Sequence, residues 1–116
     1  MIQLSPGTRI FFCVPTVDFR KGIDGLAGIC RSQLGHDPHS GTLFLFRGRK
    51  ATTIKMLVYD GQGFWLLQKR LSQGKFNWWP KDALQAASMS IYQLYVLIGN
   101  GDPDKALIAE DWKRVS

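Results

Sequence analysis

Residues 41–80 read GTLFLFRGRKATTIKMLVYDGQGFWLLQKRLSQGKFNWWP, and the way this stretch pairs with itself decides the fold. Three runs in it, Thr42 to Arg47, Thr52 to Asp60 and Phe64 to Leu71, are rich in β-branched and aromatic residues and read as strands. The tight connections Gly48 to Ala51 and Gly61-Gln62-Gly63 make them successive hairpins. Ser72-Gln73-Gly74 is a further turn, and Lys75 to Trp79 reads as a short last strand before Pro80. With Lys81, the stretch holds eight basic residues against one acid, Asp60, a net +7; the rest of the chain has seven basic residues and eight acids. The overall charge of +6 is therefore segregated into a predicted antiparallel meander.

Register follows from the second connection. Taken as a three-residue loop, Gly61 to Gly63 sets Tyr59 opposite Trp65, Leu57 opposite Leu67 and Lys55 opposite Lys69 on one side of the sheet, with Phe44 and Phe46. The other side collects Leu43, Leu45, Ile54, Met56, Val58, Phe64 and Leu66. The aliphatic side needs a cover, and a helix over Phe19 to Leu34 is the natural one. The opposed lysines repel, so this reading calls for an anion or an acidic side chain nearby.

Outward from the meander, Ser5-Pro6-Gly7 reads as a turn and Arg9 to Val14 as a first strand ended by Pro15. The helix that follows has Ile23, Leu26, Ala27, Cys30 and Leu34 at helical spacing, Asp18 as its cap and Gly35 at its C-terminal end. Gly22, Gly25 and Gly28 predict close packing of that helix on the sheet, and Arg20 and Asp24 an i, i+4 pair. Ser90 with Gln93 forms a capping box for a helix over Ile91 to Ile98, stopped by Asn100-Gly101 and Pro103. One short helix is drawn over Asp104 to Ser116. The prediction is a single α+β domain over 1–116, core 8–98 and tail 99–116. Its order is β-α-β-β-β-(β)-α, with the antiparallel meander packed on one helix.

No run approaches the roughly 18 apolar residues of a membrane span, and the N-terminus lacks the layout of a signal peptide, which predicts a cytoplasmic protein without a membrane partner. Cys13 and Cys30 lack metal or redox spacing and read as buried thiols. The carboxylates Asp18, Asp24, Asp37 and Asp60 show no spacing that supports a metal-dependent nuclease, the least favoured reading. His36-Asp37-Pro38-His39 is too isolated to read as a metal site, and no phosphate-cradling glycine loop is present. The chain reads as a binding protein, not an enzyme, with no cofactor and no metal.

A pI near 9.6 favours an acidic partner. The candidate nucleic-acid contacts are Arg47, Arg49, Lys50, Lys55, Lys69 and Arg70, with Arg20 and Lys21 as additions. They would grip phosphate at a sheet rim and hairpin tip. The aromatic side could be a stacking platform, but burial under the 91–98 helix is favoured. The alternative is a protein-interaction module whose aromatic face docks a partner or a second copy.

Four motifs in order, DFRKGIDGL (18–26), DPHSGTLFLFRGR (37–49), IKMLVYDGQGFWL (54–66) and KRLSQGKFNWWP (69–80), resemble the TnpB-type accessory proteins (Orf2-like) of bacterial insertion-sequence family 66, over roughly residues 2–98. These are distinct from the RNA-guided nucleases of the same name. The resemblance implies an accessory protein of transposition, with DNA and the transposase or other element-encoded proteins as partners. The chain departs from the family pattern at Ala51-Thr52-Thr53, at Tyr59, where tryptophan is usual, at Trp78-Trp79, at His39, which replaces a common aromatic, and in its longer tail.

Overall fold

The computed structural model describes residues 7–101. The C-terminal helix drawn over Asp104 to Ser116, with Ser5, Pro6 and Pro103, lies outside them. The elements are β1 (Ile10–Phe12), α1 (Ile23–Ser32), β2 (Leu43–Arg47), β3 (Thr53–Tyr59), β4 (Phe64–Arg70), α2 (Ala83–Ala87) and α3 (Ile91–Ile98). The α+β architecture stands: β2, β3 and β4 form the antiparallel meander, and β1 joins its edge in parallel to give a four-stranded mixed sheet of order β1-β2-β3-β4. No described helix is long and apolar enough to cross a membrane.

The β3–β4 register differs from the sequence reading by one residue. Asp60 donates its N–H to the Gly63 carbonyl at 3.1 Å, closing the hairpin on Gly61 and Gln62 alone. Gly61 takes φ +97° at the first of the two central positions, where a type II′ connection calls for glycine. Tyr59 therefore faces Phe64, Lys55 faces Gln68 and Ile54 faces Lys69. Because side chains alternate, this slip turns every β4 residue to the other side, and Lys55 and Lys69 stand on opposite faces. No opposed lysine pair exists to demand an anion.

The helices also exchange sides relative to the prediction. Leu26, Ala27, Ile29 and Cys30 of α1 pack with Phe44, Phe46 and Leu57, so α1 covers the aromatic face. The aliphatic face, Leu43, Leu45, Ile54 and Val58, is covered by Phe76, Trp79, Ala86 of α2 and Ile91, Leu94 and Leu97 of α3. Topology explains the exchange. Parallel neighbours β1 and β2 are joined through α1, and a crossover of this kind has a strongly favoured hand, which selects the face whatever its side chains. The sheet is thus packed on both sides rather than on one helix.

Local signals fared unevenly. The Ser90–Gln93 capping box is formed, and Gly35, with φ +66°, ends α1 while His36 N–H reaches back to the Cys30 carbonyl at 2.9 Å. Asp18, however, is not a helix cap: Gly22 occupies that position without a side-chain bond. Asp18 pairs instead with Arg20, displacing the predicted Arg20–Asp24 contact. The glycines of α1 do not abut the sheet; a Cβ at Gly28 would meet nothing, and one at Gly25 would meet the Lys21 side chain. Lys75 to Trp79 is irregular rather than a strand, pinned by Phe76 N–H to the Ala51 carbonyl at 2.7 Å and by Trp79 Nε1 to the Cys13 carbonyl at 3.1 Å. Helix α2 went unread, although Asp82 with Gln85 three residues on is a capping signal, and both side chains bond the backbone there. Cys13 and Cys30 are free thiols buried in the α1-side core, where desolvation pushes Cys30 up to about 12 and makes it unreactive.

Candidate nucleic-acid interface

One end of the sheet carries a groove of about 720 Å³ between two segments, the loop after β1 and the β2–β3 tip. The loop is aligned by backbone: Val17 bridges Gly48 in parallel and donates to the Arg47 carbonyl at 3.0 Å. The Phe19 ring lies so close to Gly48 that a Cβ there would sit 3.1 Å from it, so a side chain at 48 would push the ring by a few tenths of an ångström. At the tip, Ala51 N–H closes a turn onto the Gly48 carbonyl at 3.1 Å with φ +58°. That turn turns Arg49 and Lys50 out into solvent. Arg20, Arg49 and Lys50 line the groove together with Asp18, Thr52 and Thr53.

Lys55 organises this end from beneath. Its side chain is only 7% exposed, and Nζ donates to the Phe19 carbonyl at 2.8 Å and the Lys21 carbonyl at 3.1 Å while lying 5.0 Å from the Phe19 ring centroid. A buried ammonium needs such partners. Lys55 is therefore a clamp on the 19–21 loop, turned inward from the rim on which the sequence reading set it.

The remaining candidates separate. Arg20 is 91% exposed along its side chain and forks onto Asp18, with Nη2 to Oδ2 at 2.7 Å. That bond, with the Arg20 N–H to Oδ1, holds the Asp18 carboxyl well below the usual range. Lys21 is exposed beside it and lends its carbonyl to Lys55. Arg70 is exposed opposite Thr53, a groove residue, and the pleat sets it on the same side as Lys55. Arg47 points to the other face, its guanidinium 5.4 Å from the Trp79 ring centroid and its Nε buried with no hydrogen-bond partner among the described residues; desolvation lowers its pKa. Lys69 also leaves the site, donating to the Ile98 carbonyl at 2.7 Å, where a cation complements the C-terminus of α3.

The aromatic face is core, not a stacking platform: Phe44 and Phe46 are fully buried. Tyr59 packs against His39 and Phe64, with centroids 4.7 and 5.0 Å away. Two of the departures from the family pattern, His39 and Tyr59, thus meet in one cluster. The two histidines pack separately, His36 on Phe11 and His39 on this cluster. Among the described residues no group of three His, Cys, Asp or Glu could hold a metal ion. Sequence reasoning missed the Phe19 wall and the Asp18–Arg20 fork. The glycine at 48 was the available signal, because a glycine at a hairpin tip permits close approach of another side chain.

The groove takes Asp18 to Arg20 and Gly48-Arg49 from the motifs and Lys50 to Thr53 from the gap between two of them. A family model described as IS66 Orf2 like protein matches residues 8–106. The chain is 37% identical over 97 residues to the Uncharacterized protein y4jC of Sinorhizobium fredii, covering 83% of each chain. It is 34% identical over 102 residues to the Uncharacterized protein y4hO of the same organism, covering 88% of each. No solved structure matches. With the match running from β1 through α3, the chain belongs to the IS66 Orf2-like family.

Proposed function

We propose that this chain is a non-catalytic accessory protein of IS66-type transposition that works in the cytoplasm and grips DNA phosphates in the groove at the β2–β3 tip. The observation that carries this reading is that Arg20, Arg49 and Lys50 share one open groove with two threonines. Arg49 and Lys50 supply charge at the tip, Arg20 supplies a guanidinium held in place by Asp18, and Lys21 and Arg70 flank them. These are contacts that position a backbone and carry no base readout. Lys55 acts by holding the 19–21 loop, while Arg47 and Lys69 support the opposite face.

Binding through three to five phosphates predicts a slope of log K against log salt of roughly −3 to −4.5. Titrating the full chain against element-end and unrelated duplexes at two salt concentrations measures it. Similar affinities for both duplexes with that slope support the reading, and absence of binding at low salt overturns it. A second reading, contact with the transposase, is favoured by exposed Tyr92 and Tyr95 on α3 and Leu84 on α2. Capture of the purified transposase that persists in high salt would support it.

A further inference from the structure

The outer edge of β4 is unlike the rest of the sheet. Leu71 donates to the Thr52 carbonyl at 2.9 Å and Asp60 to the Gly63 carbonyl at 3.1 Å. In an antiparallel ladder this phase sends the odd-numbered residues of β4 to β3 and leaves the N–H and C=O groups of Phe64, Leu66, Gln68 and Arg70 pointing outward. Among the described residues nothing pairs with them, because β4 ends the sheet. The strand is seven residues long, and Trp65 and Leu67 on it are 45% and 38% exposed. Edge strands are commonly guarded by a projecting lysine. Here Lys69 is turned to the Ile98 carbonyl, so that guard is withdrawn.

We infer that this edge pairs antiparallel with β4 of a second copy, about a two-fold axis at Leu67, to double the four-stranded sheet. Charge complementarity selects both the occupant and the register. One end of β4 is aromatic, with Phe64 and Trp65; at the other end the exposed Arg70 carries the charge, Lys69 being held on the Ile98 carbonyl. A two-fold at Leu67 sets Trp65 opposite Lys69 and Phe64 opposite Arg70 on matching faces. Each Arg70 guanidinium then meets a Phe64 ring, and the two Arg70 side chains are kept at opposite ends of the pair. The same register uses the full length of the strand and places all four outward residues in hydrogen-bonded pairs, about eight bonds in all. This association does not depend on nucleic-acid binding. Two copies at +6 each repel, so added salt strengthens self-association while it weakens a phosphate contact.

Sedimentation velocity over a concentration series at two salt concentrations tests the proposal with wild type, Gln68→Pro and Leu67→Cys. Proline at 68 removes an outward N–H and leaves the β3 ladder intact, the placement an edge strand tolerates. Wild type should dimerise, more tightly in higher salt, and Gln68→Pro should associate roughly tenfold more weakly, the loss of two of these bonds. Leu67→Cys should form a covalent dimer under mild oxidation, since the axis brings residue 67 against itself at about 4.5 Å between Cα atoms. Wild type supplies the background, its two cysteines being buried. A wild type that stays monomeric at all concentrations overturns the proposal, as does a dimer that leaves Leu67→Cys uncrosslinked. If circular dichroism shows that Gln68→Pro does not fold, the cross-link alone decides.

Discussion

The two tips of the meander lie at opposite ends of the sheet and use their charges in opposite ways. At the β3–β4 tip, Asp60 accepts from Gln62 N–H at 2.8 Å, Gly63 N–H at 2.9 Å and Trp65 Nε1 at 2.7 Å, so its carboxylate is absorbed into the turn. At the β2–β3 tip, backbone bonds and the Phe19 contact shape the turn, while Arg49 and Lys50 face solvent. A charge that builds its own loop is unavailable to a ligand; a charge on a loop built by other means is available. The same division runs through the basic residues of the sheet. Lys55 and Lys69 close hydrogen bonds to carbonyls, and Arg20 is oriented by Asp18 yet remains open.

Replacing Lys55 should have the largest effect, because it removes the bond between the sheet and the groove wall. Lys55→Met leaves the Phe19 and Lys21 carbonyls without their donor and is expected to cost about 2–3 kcal/mol in urea unfolding, with loss of DNA affinity as the loop loosens. Unchanged stability would mean that the 19–21 loop is held by other contacts. Next comes the open tip. Arg49→Ala with Lys50→Ala should weaken DNA binding roughly tenfold for all sequences alike and reduce the salt slope by about two, with the urea midpoint unmoved. A stability loss without an affinity loss would erase the distinction between the tips.

The smallest effect belongs to the closed tip. Hydrogen bonds from Gly63, Gln62 and Trp65 lower the Asp60 pKa to about 2, against an ordinary value of about 3.9. A carboxyl depressed on folding stabilises the protein fully above its unfolded value, and that contribution fades as pH falls through the folded one. Stability should therefore drop between about pH 4 and about pH 2 in the wild type. In Asp60→Asn the drop should be shallower, with DNA affinity at neutral pH unchanged. A variant that keeps the wild-type acid flank would assign that flank to other carboxyls.

How much was legible varied with the range of the interaction. Strand positions, the capping box at Ser90 and the Gly35 terminator all rest on residues within a few positions of each other, and the sequence displays them. The groove does not have that property. Its walls come from residues 17–20 and 48–53, joined by Lys55, and no periodicity in 116 residues relates these three places. Arg49 and Lys50 could be picked out because a hairpin tip is exposed by its position. Lys55, Lys69 and Arg47 looked equivalent to them because charge alone does not say which carbonyl or ring a long side chain will reach.

By itself the sequence determined the α+β class, the three-stranded meander, the segregation of positive charge and the family. All of these follow from composition, short-range turn chemistry and motif order. Only the tertiary structure decided which face α1 covers, which lysines are buried and where the groove lies. The reason is that a two-residue rather than three-residue turn at Gly61-Gln62 reverses every side chain of β4, and a parallel β1–α1–β2 crossover assigns the helix to a face by handedness. Neither choice is written in hydrophobicity, and both set which charges remain at the surface.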